Sequence, residues 1–97
     1  MKVIWTETAL RDAESIKAYI EQDSGIYAIR VIEKIVEAVE DLILYPKMGR
    51  VVPEFNKKDI REIIVYNYRI IYELQSHSIT VLTIIHSARD LGSFNRK

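Results

Sequence analysis

The sequence predicts an α+β fold: a two-layer sandwich in which an N-terminal strand and a helical hairpin pack on an antiparallel meander sheet. In two stretches before residue 45, apolar residues recur every three or four positions, which is the spacing of amphipathic helices. After Asp59, β-branched and aromatic residues crowd into short runs separated by polar residues, as in strands. No repeat or Pro/Gly/Ser-rich linker divides the chain, so we expect one domain over residues 1–97.

The N-terminal half is predicted to hold the opening strand and both helices. The strand covers Val3–Trp5, and Thr6 directly after it can cap the first helix. The apolar stripe of this helix consists of Ala9, Leu10, Ala13, Ile16, Tyr19 and Ile20. Ser24 and Gly25 interrupt the pattern, and Pro46 ends the second helix. Its apolar face consists of Ala28, Ile29, Ile32, Ile35, Val36, Val39, Leu42 and Ile43.

The C-terminal half is predicted to form three antiparallel strands. They cover Arg61–Tyr66, Tyr68–Leu74 and Ile79–His86, with a tight break at Asn67 and a loop over 75–78. Both helical stripes can lie on one face of this sheet, and the opening strand joins an edge. The last strand is apolar at nearly every position, which is typical of a strand covered on both faces. We therefore expect the chain's own tail or another polypeptide to cover the second face.

Charge and composition exclude several classes of protein. The 97 residues contain 14 basic and 14 acidic side chains and no cysteine, which excludes a disulfide scaffold, a thiolate zinc site and a cysteine nucleophile. Residues 1–45 carry five basic and nine acidic side chains, and residues 46–97 carry nine and five. The neutral total argues against strong autonomous binding to nucleic acid, which depends largely on counterion release.

No cofactor, metal or membrane segment is expected. The two histidines, His77 and His86, have no third ligand at a recognisable spacing, and no Gly-rich phosphate loop is present. No apolar run approaches the roughly 20 residues that cross a bilayer, and the N-terminus has no signal-peptide pattern. We expect a cytoplasmic protein.

Arg69 is a polar residue among apolar strand positions and allows two interpretations. Arg69 and Glu73 share one face of a strand, so an exposed face or a cross-strand ion pair would explain both. Alternatively, Arg69 lies in a cationic patch with Arg61 and Arg89, near Glu54 and His86. RNA cleavage needs a base, an acid and a cation, and Glu54, His86 and Arg69 are suitable residue types.

The tyrosines around the central hairpin also allow two interpretations. Tyr66, Tyr68 and Tyr72 can stack nucleobases beside arginines. They can equally be core residues, because Tyr68 and Tyr72 share a face that could meet the helices.

Four segments, in order, are similar to those of a known protein family. They are WTETALRDAESIKAYI, YPKMGRVVPEF, IREIIVYNYRIIYEL and VLTIIHSARDL. The ordered set of G-R-x-V-P-E, I-R-E, Y-R-I-I-Y and I-x-H-x-x-R-D at these spacings resembles the RelE/ParE toxins of type II toxin-antitoxin modules, most of all the ParE branch. The resemblance runs from Val3 to Leu91 and implies a strand, a helical hairpin and an antiparallel meander.

This superfamily implies two mechanisms on one scaffold. RelE-like members cut mRNA in the ribosomal A site, whereas ParE-like members act on DNA gyrase and are not nucleases. By position, Arg69 resembles the arginine that contacts the scissile phosphate, Glu54 a general base, and His86 a catalytic histidine. Ser87–Arg89 stand where the nucleases tend to place a tyrosine, and the chain lacks their basic excess.

The leading hypothesis is therefore a ParE-like toxin that acts on DNA gyrase and is neutralised by a cognate antitoxin. The alternatives are a ribosome-dependent mRNA endonuclease using Glu54, Arg69 and His86, and a degenerate, non-toxic binding module. We expect a disordered antitoxin segment to fold on the toxin surface, with acidic residues facing Arg61, Arg69 and Arg89.

Overall fold

The computed structural model describes residues 1–87, which form two helices on one face of a five-stranded mixed sheet. The elements are β1 (Lys2–Trp5), α1 (Glu7–Glu21), α2 (Gly25–Asp41), β2 (Arg50–Val51), β3 (Ile60–Val65), β4 (Tyr68–Leu74) and β5 (Ser78–His86). The strand order is β1-β5-β4-β3-β2, with β1 parallel to β5 and every other pair antiparallel. This confirms the predicted α+β fold. The two-residue β2 was not predicted, because so short a run shows no alternation.

Side-chain caps determine where both helices begin. The Thr6 hydroxyl accepts the N–H of Ala9 at 3.0 Å, as predicted, and the Ser24 hydroxyl accepts the N–H of Tyr27 at 3.1 Å. Each cap satisfies a backbone donor that has no partner within the helix. Within residues 1–87, neither helix combines the length and the apolar composition that crossing a bilayer requires.

The main core lies between the helices and the sheet. Its buried members are Ala9, Val31, Ile35, Val39, Ile70, Val81 and Ile84, with Tyr68 packed at its margin. Tyr72 is fully buried in an adjoining cluster with Leu42 and Ile79. The structure therefore confirms the alternative in which Tyr68 and Tyr72 face the helices.

The buried stripe of α2 is narrower than predicted and rotated slightly. Ile29 and Ile43 were predicted on the apolar face, but their side chains are 51% and 40% exposed. Val31, absent from the predicted stripe, is 1% exposed. Residues 28, 31, 35, 39 and 42 follow the spacing of one helix surface, and they are the most deeply buried positions of this segment. Periodicity alone did not distinguish the central residues of the stripe from those at its sides.

The second face of the sheet is partly covered by the loop that follows β2. Val52 from this loop is buried with Ile60, Ile71 and Leu82, and Phe55 packs against the same cluster. The sequence predicts the chain's own tail or another polypeptide as the cover. The tail, residues 88–97, lies outside the described residues, so that part stays a prediction, and the loop is a cover that the sequence did not predict. Only two apolar side chains, Val52 and Phe55, come from this otherwise polar loop, and two residues are too few to show a repeating period.

The first helix also closes part of the sheet edge. β1 pairs with β5 only as far as Trp5 and Val81, and within residues 1–87 no strand pairs with the rest of β5 on that side. There the Asp12 carboxylate accepts the N–H of Ile84 at 2.9 Å and the hydroxyl of Thr83 at 2.5 Å. A side chain of α1 therefore takes the place of the missing strand as hydrogen-bond acceptor.

Candidate functional site

Four charged side chains meet on the second face of the sheet, and we call them the arginine–glutamate cluster: Arg50, Glu54, Glu62 and Arg69. Arg69 Nε donates to Glu62 Oε1 at 2.5 Å, and its two terminal nitrogens donate to the Glu54 carboxylate oxygens at 2.9 Å each. Arg50 Nε donates to Glu62 Oε2 at 2.5 Å. Each carboxylate oxygen of Glu54 and Glu62 thus accepts a hydrogen bond from an arginine.

Backbone geometry brings these residues together. Glu62 and Arg69 lie on adjacent antiparallel strands and project from the same face, two positions apart diagonally. Arg50 lies directly opposite Glu62 on β2, and Glu54 follows in the loop that covers this face. Of the two interpretations of Arg69, the structure shows a cross-strand ion pair, with Glu62 on β3, and a second ion pair with Glu54 in the loop.

The centre of the cluster is removed from water. The side chain of Glu62 is 0% exposed and that of Arg69 is 8% exposed, whereas Glu54 retains 34% and Arg50 67%. Hydrogen bonding to Glu54 raises the pKa of Arg69 above its ordinary value; burial acts in the opposite direction, and Glu62 adds to the increase. Arg69 is therefore a permanent cation, compensated mainly by two carboxylates of the same chain.

Arg61 projects from the opposite face of β3, because strand side chains alternate. Its Nε donates to the carbonyl of Lys58 at 3.0 Å and its Nη1 to the carbonyl of Gly49 at 2.9 Å. The described contacts of Arg61 thus tie the segment before β2 and the segment before β3 to the sheet. Arg89, the third arginine of the predicted patch, lies outside the described residues. The proposal that these three arginines bind a partner stays a prediction.

Tyr72 forms hydrogen bonds with the segment before β2, at Pro46 and Gly49. Its hydroxyl donates to the carbonyl of Pro46 at 2.8 Å and accepts the N–H of Gly49 at 3.0 Å. Burial raises the pKa of the Tyr72 phenol above the ordinary value of 10.0, although the Gly49 hydrogen bond and the charge of Arg61 oppose this. The fold therefore favours the neutral phenol.

This shift predicts a loss of stability at high pH. Because the folded chain holds the Tyr72 proton more tightly than the unfolded chain, its stabilisation is intact below pH 10 and is lost as the pH rises through the folded value. We expect the Tyr72 contribution to fall by no more than about 1.4 kcal/mol per pH unit. Urea unfolding between pH 8 and 11 measures this, and Tyr72→Phe is expected to show a shallower decline. Identical slopes for the two proteins would contradict the assignment.

His86 lies away from the arginine–glutamate cluster. It stands opposite Tyr68 in the β4–β5 register, and the two rings meet edge to face with centroids 5.8 Å apart. Tyr68 packs on the helix face, whereas Arg69, the next residue, projects from the other face. The structure thus brings Glu54 and Arg69 together and places His86 across the sheet from both. The assignment of these three residues to catalysis stays a prediction.

Two members of the cluster, Arg50 and Glu62, were not predicted as site residues. Arg50 and Glu54 both belong to the G-R-x-V-P-E motif, so their spacing of four residues was a usable signal. Glu62 is a charged residue at a strand position that proves to be fully buried, and such residues usually have a charged partner nearby. Among residues 1–87, no group of three His, Asp or Glu side chains is placed to hold a metal ion.

Comparisons with known proteins relate this chain to toxins of type II toxin-antitoxin systems. Residues 3–91 match the family model described as the ParE toxin of the type II toxin-antitoxin system, parDE. The chain is 36% identical over 88 residues to the "Putative toxin Y4kP" of Sinorhizobium fredii, covering 89% of this chain and 88% of that protein. It is 33% identical over 89 residues to "Toxin RelE2" of Caulobacter vibrioides, covering 91% of this chain and 97% of that protein.

A solved structure has a similar fold. The structure described as "Chromosomal ParDE TA system from P. aeruginosa" aligns with a TM-score of 0.75 and 21% sequence identity. The alignment covers 89% of this chain and 95% of that one. At this identity the likeness concerns the arrangement of strands and helices.

Proposed function

This chain belongs to the ParE toxin family and is the toxin of a type II toxin-antitoxin module, and we propose that it arrests growth by acting on DNA gyrase. On this proposal the protein has no catalytic activity of its own, and a cognate antitoxin neutralises it. The choice between gyrase and mRNA as targets depends on whether the chain presents a nuclease site, and the arginine–glutamate cluster bears directly on that.

The observation that carries the proposal is the internal pairing of Arg69. A nuclease of this fold would need Arg69 to meet a scissile phosphate with its guanidinium fork. Here the fork is occupied by both oxygens of Glu54, at 2.9 Å each, and Nε is bonded to Glu62. A phosphate would have to displace Glu54 and approach a second carboxylate that is fully buried. This arrangement favours a structural role for Arg69 over phosphate binding.

The position of His86 supports the same conclusion. General acid and base catalysis needs both groups within hydrogen-bond reach, about 2.6–3.2 Å, of the atoms that exchange protons. Glu54 lies on one face of the sheet and His86 contacts Tyr68 on the other. One phosphodiester could not meet both side chains in this conformation.

We expect the purified toxin to inhibit gyrase supercoiling, or to increase gyrase-dependent DNA cleavage, at micromolar concentration. The reason is that within residues 1–87 the predicted catalytic arginine is paired internally, which favours action by binding a target. The assay uses relaxed plasmid, gyrase and ATP, and premixing with the antitoxin from the adjoining open reading frame should abolish the effect. Unchanged supercoiling and cleavage at micromolar toxin would contradict the proposal.

A ribosome-dependent mRNA endonuclease is the second candidate, because one relative carries the name "Toxin RelE2" and because Glu54 and Arg69 are adjacent. In a translation extract, this candidate predicts A-site cleavage products that disappear in the His86→Gln variant. His86 is exposed, so the substitution should leave the fold intact and the result can be read as chemistry. Cleavage lost in His86→Gln would replace the gyrase proposal.

Regulated expression in a bacterium without the antitoxin separates these candidates from a degenerate, non-toxic module. Induction of the DNA-damage response indicates gyrase, immediate loss of protein synthesis indicates mRNA, and normal growth indicates a module without toxicity.

A further inference from the structure

Within residues 1–87, only part of the outer edge of β3 is paired with another strand. β2 pairs with β3 at Val51 opposite Arg61 and at Arg50 opposite Glu62, and it ends there. The Val52 N–H also bonds the Ile60 carbonyl, so the even-numbered residues of β3 direct their backbone groups to this edge. By the same alternation Ile64 presents its N–H and C=O outward, and within residues 1–87 no strand pairs with it there.

Nothing in this segment protects the open edge. Exposed edges are usually blunted by lysine, proline or a bulge, whereas residues 63–66 read Ile-Ile-Val-Tyr. Ile64 and Tyr66 are 54% and 51% exposed. Tyr66 has φ of 53°, a left-handed conformation that is unusual for a bulky residue, and its ring lies 6.4 Å from that of Tyr27. The turn thus presents an aromatic ring at the end of the open edge.

A groove of about 340 Å³ runs between this edge and α2. Its strand side is apolar, with Val65 and Tyr66, and its helix side carries Lys34, Glu37 and Asp41. Lys34 Nζ lies 3.8 Å from Glu37 Oε1, so Lys34 is partly compensated within the groove and one negative charge remains in excess. An occupant with a positive charge would complement this surface.

We propose that an extended segment of the cognate antitoxin binds here, continuing the sheet past the end of β2. Its backbone hydrogen-bonds Ile64, an apolar side chain packs on Tyr66, and a basic side chain faces Asp41 and Glu37. The inference rests on the proposed function, since it takes the partner to be the antitoxin. This contact differs in sign from the predicted acidic contacts with Arg61, Arg69 and Arg89, because it involves a different surface, one that carries Glu37 and Asp41.

Hydrogen exchange on the purified toxin–antitoxin complex tests the backbone contact. We expect the Ile64 amide to exchange about 100-fold more slowly, or slower still, in the complex than in the free toxin. The Val3 amide, which by the β1–β5 hydrogen-bond alternation points outward at the opposite edge of the sheet, is the internal control and should change little.

Two charge reversals on α2 test the side-chain contact. Asp41→Lys is expected to weaken antitoxin binding about tenfold or more, measured by calorimetry, whereas Glu33→Lys makes the same charge change outside the groove and should leave binding unaltered. Both positions are exposed, so both variants should fold, and thermal unfolding verifies this.

Each contrary outcome has a distinct meaning. A complex that leaves Ile64 unprotected, or that tolerates Asp41→Lys as well as Glu33→Lys, overturns this inference and leaves the proposed function standing. Ile64 protection that depends on the concentration of the toxin alone would make a second copy the occupant and would also overturn it. The absence of any complex would overturn this inference together with the antitoxin part of the proposed function.

Discussion

Replacing Arg69 by alanine is expected to lower the free energy of unfolding by about 3–5 kcal/mol. The substitution leaves the Glu62 carboxylate, which is 0% exposed, with Arg50 as its remaining described cation. Removing one partner of a buried ion pair costs far more than the pair itself contributes, because the remaining charge has lost its hydration and its compensation. Urea unfolding of the purified toxin measures the loss.

An exposed ion pair provides the matched control. Arg11 and Glu7 form an i,i+4 pair on α1 with side chains 74% and 76% exposed, so Arg11→Ala should cost less than about 1 kcal/mol. A second variant, Glu62→Gln combined with Arg69→Met, removes both buried charges and should recover much of the stability lost in Arg69→Ala. Equal losses for Arg69→Ala and Arg11→Ala would show that the cluster is not the buried network described above.

This expectation changes how toxicity data on Arg69 variants should be interpreted. If Arg69→Ala unfolds a large fraction of the toxin, loss of growth arrest follows on either mechanism and identifies neither. His86→Gln and Glu54→Gln are more informative, because both side chains reach solvent. Neither substitution removes an arginine partner of the buried Glu62 carboxylate. A nuclease should lose activity in both variants, whereas a gyrase-directed toxin should retain it.

The sequence predicted the strands and the helices because their patterns are local. The run Tyr68–Leu74 is β4 at the predicted bounds, and Thr6 caps α1 as expected. Alternation assigned Tyr68 and Tyr72 to one face and Arg69 to the other. These inferences needed only the period of each element and the polar residues between elements.

The partners of Arg69 could not be predicted in the same way. Glu62 and Glu54 lie 7 and 15 residues away from it in the chain, and their approach depends on strand register and on the path of a loop without periodicity. Whether His86 projects from the same face of the sheet as Arg69 depends on the β4–β5 register. This register contains an irregularity between Ile71 and Tyr72. One such shift reverses which residues of β5 share a face with Arg69.

Gly49→Ala is expected to produce the other large loss of stability, about 2–4 kcal/mol. A Cβ at this position would lie 2.5 Å from the backbone carbonyl oxygen of Glu62 and 2.6 Å from the Tyr72 hydroxyl. The first of these atoms belongs to a central part of β3 and cannot rotate away. The chain must therefore shift the segment before β2, which weakens the hydrogen bonds that Gly49 makes with Tyr72 and Arg61.

Gly25→Ala isolates this steric cause, because it makes the same chemical change where a Cβ would have nothing within 4 Å. Gly25 begins α2, so alanine there should be neutral or stabilising by up to about 1 kcal/mol. Thermal unfolding of both variants against the wild type gives the comparison. Because Arg50 follows Gly49 and bonds Glu62, a displaced segment should also loosen the arginine–glutamate cluster, so the losses from Gly49→Ala and Arg69→Ala should be less than additive in the double variant. Strict additivity, or a Gly49→Ala variant as stable as Gly25→Ala, would contradict the close packing of this segment against β3.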